Sequence, residues 1–202
     1  MVKKSIAVAL FILVLNSCAN PINQRTYQNY MAAGDQAVMR GDLQLAKKHY
    51  SRAIANVRMG NLGPDAEAIA LFQYARILGN LCEQDEAEKT FIEANRLNEQ
   101  SKGVGTEATY ATVMEIGQFN YDIGCYDKAI PYFDKALAIA EKYGLNDKYP
   151  ASSADAYTDY ADALMKTGNS GKANEVLAKA TSLKANVKNK EPEYTRYPKT
   201  CK

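Results

Sequence analysis

Four cysteines and one histidine are the residues of this chain that could take part in redox or metal chemistry. The cysteines are Cys18, Cys82, Cys125 and Cys201, and none of them stands in a Cys-x-x-Cys motif, which disfavours an oxidoreductase. His49 has no cysteine or histidine partner at the spacing of metal ligands. We therefore interpret it as a surface or packing residue and expect no metal site.

Other catalytic signatures are missing from the sequence. It contains no G-x-S-x-G motif, phosphate-binding loop or metalloprotease motif. Asp155, Asp159 and Asp162 would share one face of a helix, but charge clusters on such helices are usually solvated. These carboxylates are weak evidence for catalysis, so we expect a protein that is not an enzyme and needs no cofactor.

The first residues have the pattern of a secretion signal. Lys3 and Lys4 precede an uninterrupted apolar run from Ile6 to Leu15, and a short polar segment follows. The run is too short to span a bilayer as a helix, which favours a removable leader over a membrane-spanning anchor.

Leu15-Asn16-Ser17-Cys18 resembles the lipobox of bacterial lipoproteins. The resemblance implies cleavage before Cys18 and lipidation of this residue, with palmitate among its acyl chains, which would make membrane anchoring effectively permanent. The alternative is an ordinary secretory signal, although no A-x-A-like site stands near the end of the apolar run. Ala19 replaces the aspartate of the family's inner-membrane retention signal, so the resemblance favours the periplasmic face of the outer membrane.

The charge balance argues against a nucleic-acid-binding protein. The chain has 25 basic and 23 acidic side chains, and removal of Lys3 and Lys4 with the leader makes the two numbers equal. A nucleic-acid-binding protein needs a basic stripe for phosphate contacts, whereas here both signs are interleaved.

A stripe of small, large and small residues recurs along the chain. Each stripe places an apolar residue four positions after a small one and another small residue three positions later, so all three share one face of a helix. The steps between stripes are 41, 42 and 44 residues. This period predicts an all-α solenoid whose units bury their apolar faces against their neighbours. The four stripes are Ala46, Tyr50 and Ala53; Ala87, Phe91 and Ala94; Ala129, Phe133 and Ala136; and Ala173, Leu177 and Ala180.

The unit from Tyr110 to Tyr143 resembles a tetratricopeptide repeat (TPR), with Gly117 and Gly124 at the family's small and turn positions. The resemblance implies about four helix-turn-helix repeats, with a period longer than the family's usual one. We therefore predict a signal peptide over 1–17, a lipidated linker over 18–26 and the solenoid over 27–187. A polar C-terminal tail over 188–202 is expected to cap the last helix and then extend beyond it.

By the same resemblance, the first helices of the repeats line a concave groove that binds a protein or peptide partner. Methionine adapts to varied surfaces, so a groove rich in methionine suits an apolar helix or an extended peptide. The alternative is that these residues pack against neighbouring helices or the C-terminal tail, which would fill the groove from within. The predicted groove residues are Met31, Asp35, Met39, Phe72, Arg76, Met114, Gln118, Tyr121 and Met165.

Cys82 and Cys125 fall in equivalent turns of adjacent repeats. An oxidising envelope would permit a disulfide between them, but the bond needs α-carbons within about 7 Å, whereas neighbouring helices pack about 8–10 Å apart. We keep this disulfide as one alternative, with Cys201 free or paired elsewhere.

Three functional hypotheses follow. The first is a membrane-anchored periplasmic adaptor, in envelope or pilus assembly, that holds a protein partner in its groove. The second is a structural lipoprotein that self-assembles, because a solenoid needs polar caps to stay monomeric. The third, and weakest, is an envelope redox protein or enzyme, which only the cysteines motivate.

Overall fold

The structure, a computed structural model, describes residues 20–187 and 194–199, and the predicted signal peptide, Cys18 and Cys201 lie outside these ranges. In the described residues the chain forms nine helices and no strand. They are α1 (Pro21–Met39), α2 (Leu43–Gly60), α3 (Pro64–Asn80), α4 (Gln84–Lys102), α5 (Glu107–Asp122), α6 (Tyr126–Lys142), α7 (Leu145–Lys148), α8 (Pro150–Lys166) and α9 (Ser170–Ala185).

Eight of these helices form four antiparallel pairs, α1 with α2, α3 with α4, α5 with α6, and α8 with α9. A left-handed residue turns the chain within each pair, at Gly41, Cys82, Gly124 and Gly168, with φ between 64° and 84°. The short helix α7 lies between the third and fourth pairs, where the step of the repeat is longest, and its Leu145 is buried. The α-solenoid of four long repeats is confirmed.

The small and large residues of the stripes form the core of each pair. The alanines of all four stripes are at most 1% exposed, and the aromatic residues Tyr50, Phe91 and Phe133 are at most 2% exposed. Each of these rings lies against the next repeat as well as its own; Phe133, for example, contacts Tyr160 at a centroid distance of 5.7 Å. Leu177 is 47% exposed because α9 is the last helix among the described residues and no following helix covers it.

The first helix begins at Pro21, inside the segment predicted as a linker. The side chain of Asn20 accepts a hydrogen bond from the backbone of Ile22 at 3.0 Å, and Pro21 occupies the first turn, where it needs no backbone donor. The solenoid therefore starts almost directly after the predicted lipidation site.

Ion pairs join the second helices of successive repeats on the outer face. Lys128 on α6 pairs with Glu88 on α4 at 2.7 Å, and Lys172 on α9 pairs with Asp134 on α6 at 2.8 Å. Lys135 and Glu99 make a further pair of this kind. Because the side chains are partly exposed to solvent, each pair contributes only about 0–1 kcal/mol.

Residues 194–199, here called the C-terminal segment, return to the concave groove formed by α3, α5 and α8. Tyr197 is only 2% exposed and belongs to a core cluster with α3, α4 and α5. The prediction that the tail extends beyond the last helix is wrong for this segment, because its aromatic and basic side chains find apolar and acidic partners in the groove.

Candidate peptide-binding groove

Tyr197 occupies an aromatic slot at the centre of the groove. Its ring meets Phe119 edge to face at a centroid distance of 5.1 Å and Phe91 at 6.4 Å. Gly79 on α3 forms the opposite wall, where an added Cβ would lie 2.7 Å from the tyrosine ring. At the bottom of the slot, the Tyr197 hydroxyl donates a hydrogen bond to the Glu115 carboxylate at 2.5 Å. Glycine at position 79 is thus required for the ring to enter.

Arg196 binds two carboxylates beside this slot. Its guanidinium donates to Asp122 Oδ1 at 3.1 Å and to Asp159 Oδ1 at 2.9 Å. The other Asp122 oxygen accepts the backbone N–H of Tyr197 at 2.9 Å. Asp122 therefore holds the segment through both a side chain and the main chain, which fixes its register as well as its position.

The aspartates lie deep in the groove while the arginine reaches them from the rim. The Asp122 side chain is fully buried and that of Asp159 is 7% exposed, whereas the Arg196 side chain is 41% exposed. Burial raises the pKa of Asp122 and Asp159 above the ordinary aspartate value, and their bonds to Arg196 oppose that rise. Arg196 therefore offsets part of the cost of burying these two carboxylates.

Glu115 has a similar environment next to the slot. Burial raises its pKa, and the cation of Arg76 at 3.2 Å, together with the Tyr197 hydroxyl, opposes that rise. The Tyr197 pKa is raised well above its ordinary value by burial and by the neighbouring Glu115. The phenol therefore stays protonated and serves as a hydrogen-bond donor.

Two parts of the groove stay open on either side of the C-terminal segment. One is a cavity of about 450 Å³ over the first and second repeats, where Asp35, Met39 and Arg76 line the wall and Thr195 the edge. The other is a cavity of about 260 Å³ over the third and fourth repeats, edged by Tyr194. The segment thus divides the groove into two clefts.

The sequence profile of the tetratricopeptide repeat family matches residues 109–186. These residues contain nearly all of the third and fourth helix pairs. They include Gly117 and Gly124, the small and turn residues on which the resemblance in the sequence rests. This part of the chain is a tetratricopeptide repeat array. Proteins built from such repeats are typically non-enzymatic scaffolds for protein interactions.

Solved structures extend the repeat fold to nearly the whole chain. BtubC (BKLC) from P. vanneervenii superposes with a TM-score of 0.76 over 93% of this chain and 75% of that chain, at 18% identity. The nearly identical TPR-like repeats described for a kinesin light chain of Podospora anserina give a TM-score of 0.67 over 78% of this chain and 74% of that chain, at 16% identity. At these identities the likeness concerns the fold alone. Comparison with curated protein sequences gives no significant match.

The predicted groove residues divide into three groups in the TPR array. Met39 and Met165 are 79% and 54% exposed and lie near opposite ends of the array. Met31 and Phe72 are partly buried and pack against core clusters, and Met114 is 6% exposed. The methionines are therefore not one continuous binding stripe, because several of them fill the space between neighbouring helices.

The polar members of the predicted set are mostly engaged within the protein. Asp35 accepts a hydrogen bond from the Tyr50 hydroxyl at 2.6 Å, and Arg76 pairs with Glu115. Tyr121 donates to Asp162 at 3.0 Å and lies beneath the Arg196 guanidinium. Gln118 is 7% exposed beside Tyr194. Some of these residues thus support the C-terminal segment, as the alternative of a groove filled from within predicts.

Sequence reasoning missed Glu115 and Asp159 as groove residues, and Asp159 is buried, not solvated as expected. Both occupy the same position of their repeats, 44 residues apart, on helices whose neighbouring residues are largely buried. An acidic residue repeated at a buried position needs a donor or a cation. The repeated acidic residues are visible in the sequence, but they do not indicate which residue supplies the donor or the cation.

The disulfide between Cys82 and Cys125, kept as one alternative from the sequence, does not form. Cys125 is a free thiol, whereas Cys82 is disulfide-bonded. Equivalent turns of adjacent repeats are separated by about the distance between packed helices, which exceeds the reach of a disulfide. Cys82 also has a left-handed backbone, with φ of 64°, where the other repeats have glycine. A side chain there costs about 1–2 kcal/mol, so cysteine at this turn is locally unfavourable.

Residues 20–187 and 194–199 contain no cluster of His, Cys, Asp and Glu suited to a metal ion. Over the same ranges, none of the helices has the length and apolar character needed to cross a bilayer. His49 is half-buried and lies 6.0 Å from the Tyr30 ring, centroid to centroid.

Proposed function

We propose that this protein is a lipid-anchored adaptor of the bacterial envelope whose concave groove binds an extended segment of a protein partner. The observation that carries the proposal is that the groove already holds an extended peptide, the chain's own residues 194–199. The segment is bound through a buried aromatic ring, a charge-paired arginine and a main-chain hydrogen bond. These are the elements by which a groove recognises a peptide.

The open cleft over the first and second repeats is the part of the groove available to a partner while the C-terminal segment stays in place. It combines the exposed Met39 with the charged Asp35 and Arg76, so it can take an apolar side chain and a polar backbone. We infer that the partner enters the groove through this cleft.

A charge substitution tests the role of the cleft, and the chain offers a matched control. Met39 and Met59 are both exposed methionines, 79% and 69% respectively, but Met59 lies on a second helix and lines neither of the two clefts. Crosslinking in intact cells, followed by capture and mass spectrometry, should recover a protein with wild type and with Met59→Lys. The same protein should be lost with Met39→Lys. Equal recovery by both variants would remove the cleft from the proposal.

The anchor rests on the lipobox resemblance at Cys18 and has its own test. Cys18→Ser should move the protein from the membrane fraction to the soluble fraction, whereas Cys125→Ser should leave it with the membrane. In the wild type, the N-terminal peptide should carry the mass of its acyl chains. Lipidation also uses the sulfur of Cys18 in a thioether, so a disulfide between Cys18 and Cys82 would contradict the anchor.

Self-assembly is the alternative that the end of the array favours. Leu177 on α9 is 47% exposed and Val187, two residues beyond this helix, is 37% exposed, so a second copy could stack here. Sedimentation of the soluble form at several concentrations separates the two functions. A monomer at all concentrations favours the adaptor, and association that Leu177→Lys abolishes favours self-assembly.

A further inference from the structure

The Tyr197 slot has the selectivity expected of a recognition site. Its walls are two aromatic rings and the Cα of Gly79, so a flat ring fits between them. A side chain at position 79 would collide with that ring. The carboxylate of Glu115 at its end accepts a hydrogen bond from the ring hydroxyl, which distinguishes tyrosine from phenylalanine. Phenylalanine would remove this donor and leave Glu115 with only the Arg76 cation at 3.2 Å.

The groove recognises the residue before Tyr197, Arg196, through its positive charge. Among the described residues, Arg196 is the only ion-pair partner of Asp122 and of Asp159. Its guanidinium also lies over the rings of Tyr121 and Tyr194, at 5.7 and 5.4 Å from their centroids. A planar, charged group that spans two carboxylates and stacks on aromatic rings is a role for arginine, which lysine fills poorly.

Other positions of the segment contribute less. The side chains of Thr195 and Lys199 are exposed, and Tyr194 adds ring contacts with Tyr197 at 6.3 Å. The backbone of Tyr197 is fixed by Asp122, which sets the register. The information in the segment is therefore concentrated in an arginine followed directly by a tyrosine.

We propose that the central groove recognises an extended Arg-Tyr segment of a protein partner, and that residues 194–199 are a tethered occupant with which that segment exchanges. This inference rests on the proposed peptide-binding function and names the chemistry of the partner. A tethered ligand acts at an effective concentration of about 1 mM, so it weakens a free competitor without any new contact. To displace the segment, a partner must therefore present the same two side chains or be held close to the groove, where its own effective concentration is high.

The test uses the full mature chain and a labelled synthetic peptide with the sequence of residues 194–199, Tyr-Thr-Arg-Tyr-Pro-Lys. The double variant Arg196→Ala/Tyr197→Ala vacates the groove while leaving its walls intact. Fluorescence anisotropy should show peptide binding to this variant and at least ~10-fold weaker binding to wild type, because the tethered segment competes. A peptide with arginine and tyrosine exchanged should not bind.

Alanine substitutions at two glycines test whether the peptide enters the slot, one of them closing the slot and the other serving as its control. In the double-variant background, Gly79→Ala should abolish peptide binding by closing the slot. Gly171→Ala should leave it unchanged, since nothing lies within 4 Å of a Cβ at that position. If the double variant is not folded by circular dichroism, Arg196→Ala alone takes its place in the same assay.

Each outcome bears on the inference. A folded variant that fails to bind the peptide, or binds the exchanged peptide equally, overturns it. So does equal binding by wild type and variant. Because this assay uses no cellular partner, such a failure leaves the Met39→Lys capture experiment unaffected. Conversely, if the capture experiment in cells recovers no partner, the peptide affinity measured by anisotropy is unchanged.

Discussion

Replacing Tyr197 with alanine should release the C-terminal segment and destabilise the array. The ring is 2% exposed and packs against Phe91 and Phe119, and truncation of such a buried aromatic costs about 3–5 kcal/mol. Water can enter the vacated groove and solvate Glu115, so no further penalty for an unpaired carboxylate is added. For a chain of this length, 1 kcal/mol corresponds to about 2–4 °C in Tm, so we expect a decrease of about 6–12 °C at the lower estimate.

Calorimetry and tryptic digestion should both report this loss. The peptide bond after Arg196 is protected in the wild type by the buried Tyr197, and Tyr197→Ala should make it a rapid cleavage site. Thr195→Ala is the matched control, because Thr195 is exposed in the same segment and its substitution should change stability by no more than about 0.5 kcal/mol. Equal Tm values and equal cleavage rates for the two variants would refute the argument that Tyr197 anchors the segment.

Three other predictions concern acidity, packing and thiols. Burial raises the pKa of Glu115 above its ordinary 4.5, so the folded state retains a proton that the unfolded chain releases, and this stabilisation is lost as pH rises through the folded-state pKa. We expect the Tm of wild type to fall relative to Glu115→Gln between about pH 4 and pH 7; a constant difference would contradict the shift. Ala129→Leu should overpack a fully buried position and lower the free energy of unfolding in urea by about 1–3 kcal/mol, and no loss would mean that the helix pair is loosely packed. Without reductant, iodoacetamide should label Cys125 and spare Cys82. Non-reducing peptide mapping should find Cys82 in a disulfide, and labelling of Cys82 would count against this bond.

Much of the solenoid could be predicted from the sequence because its determinants are local. A small residue, a large residue and a small residue on one helical face define a packing surface regardless of what the rest of the chain does. Leu177 follows the same spacing as Phe133 but remains exposed, since the pattern contains no information about whether another repeat follows. The first helix begins at Pro21 and not at the predicted residue 27, because a cap and a proline decide its start and the apolar periodicity does not.

The occupant of the groove could not be predicted in the same way. Tyr197 contacts Glu115 across 82 positions and Asp122 across 75, so no local spacing connects them. The sequence left two alternatives open, a free groove and a groove filled from within, and the structure shows the second for the centre of the groove. Only the acidic residues at equivalent buried positions indicated that carboxylates of the helices need a cation from elsewhere in the chain.

Binding of the C-terminal segment depends on departures from the repeat more than on the repeat itself. Gly79 opens a slot beside the aromatic core, Glu115 and Asp159 bring carboxylates into an otherwise apolar face, and Cys82 takes the place of a turn glycine. Each departure is locally unfavourable, through a lost side chain, a buried charge or a left-handed backbone. Three of the four act on the C-terminal segment directly, which offsets their cost by filling the slot and pairing the charges. If a partner displaces the segment as we propose, it must restore the same contacts, so we expect the groove to select against ligands that lack both the arginine and the tyrosine.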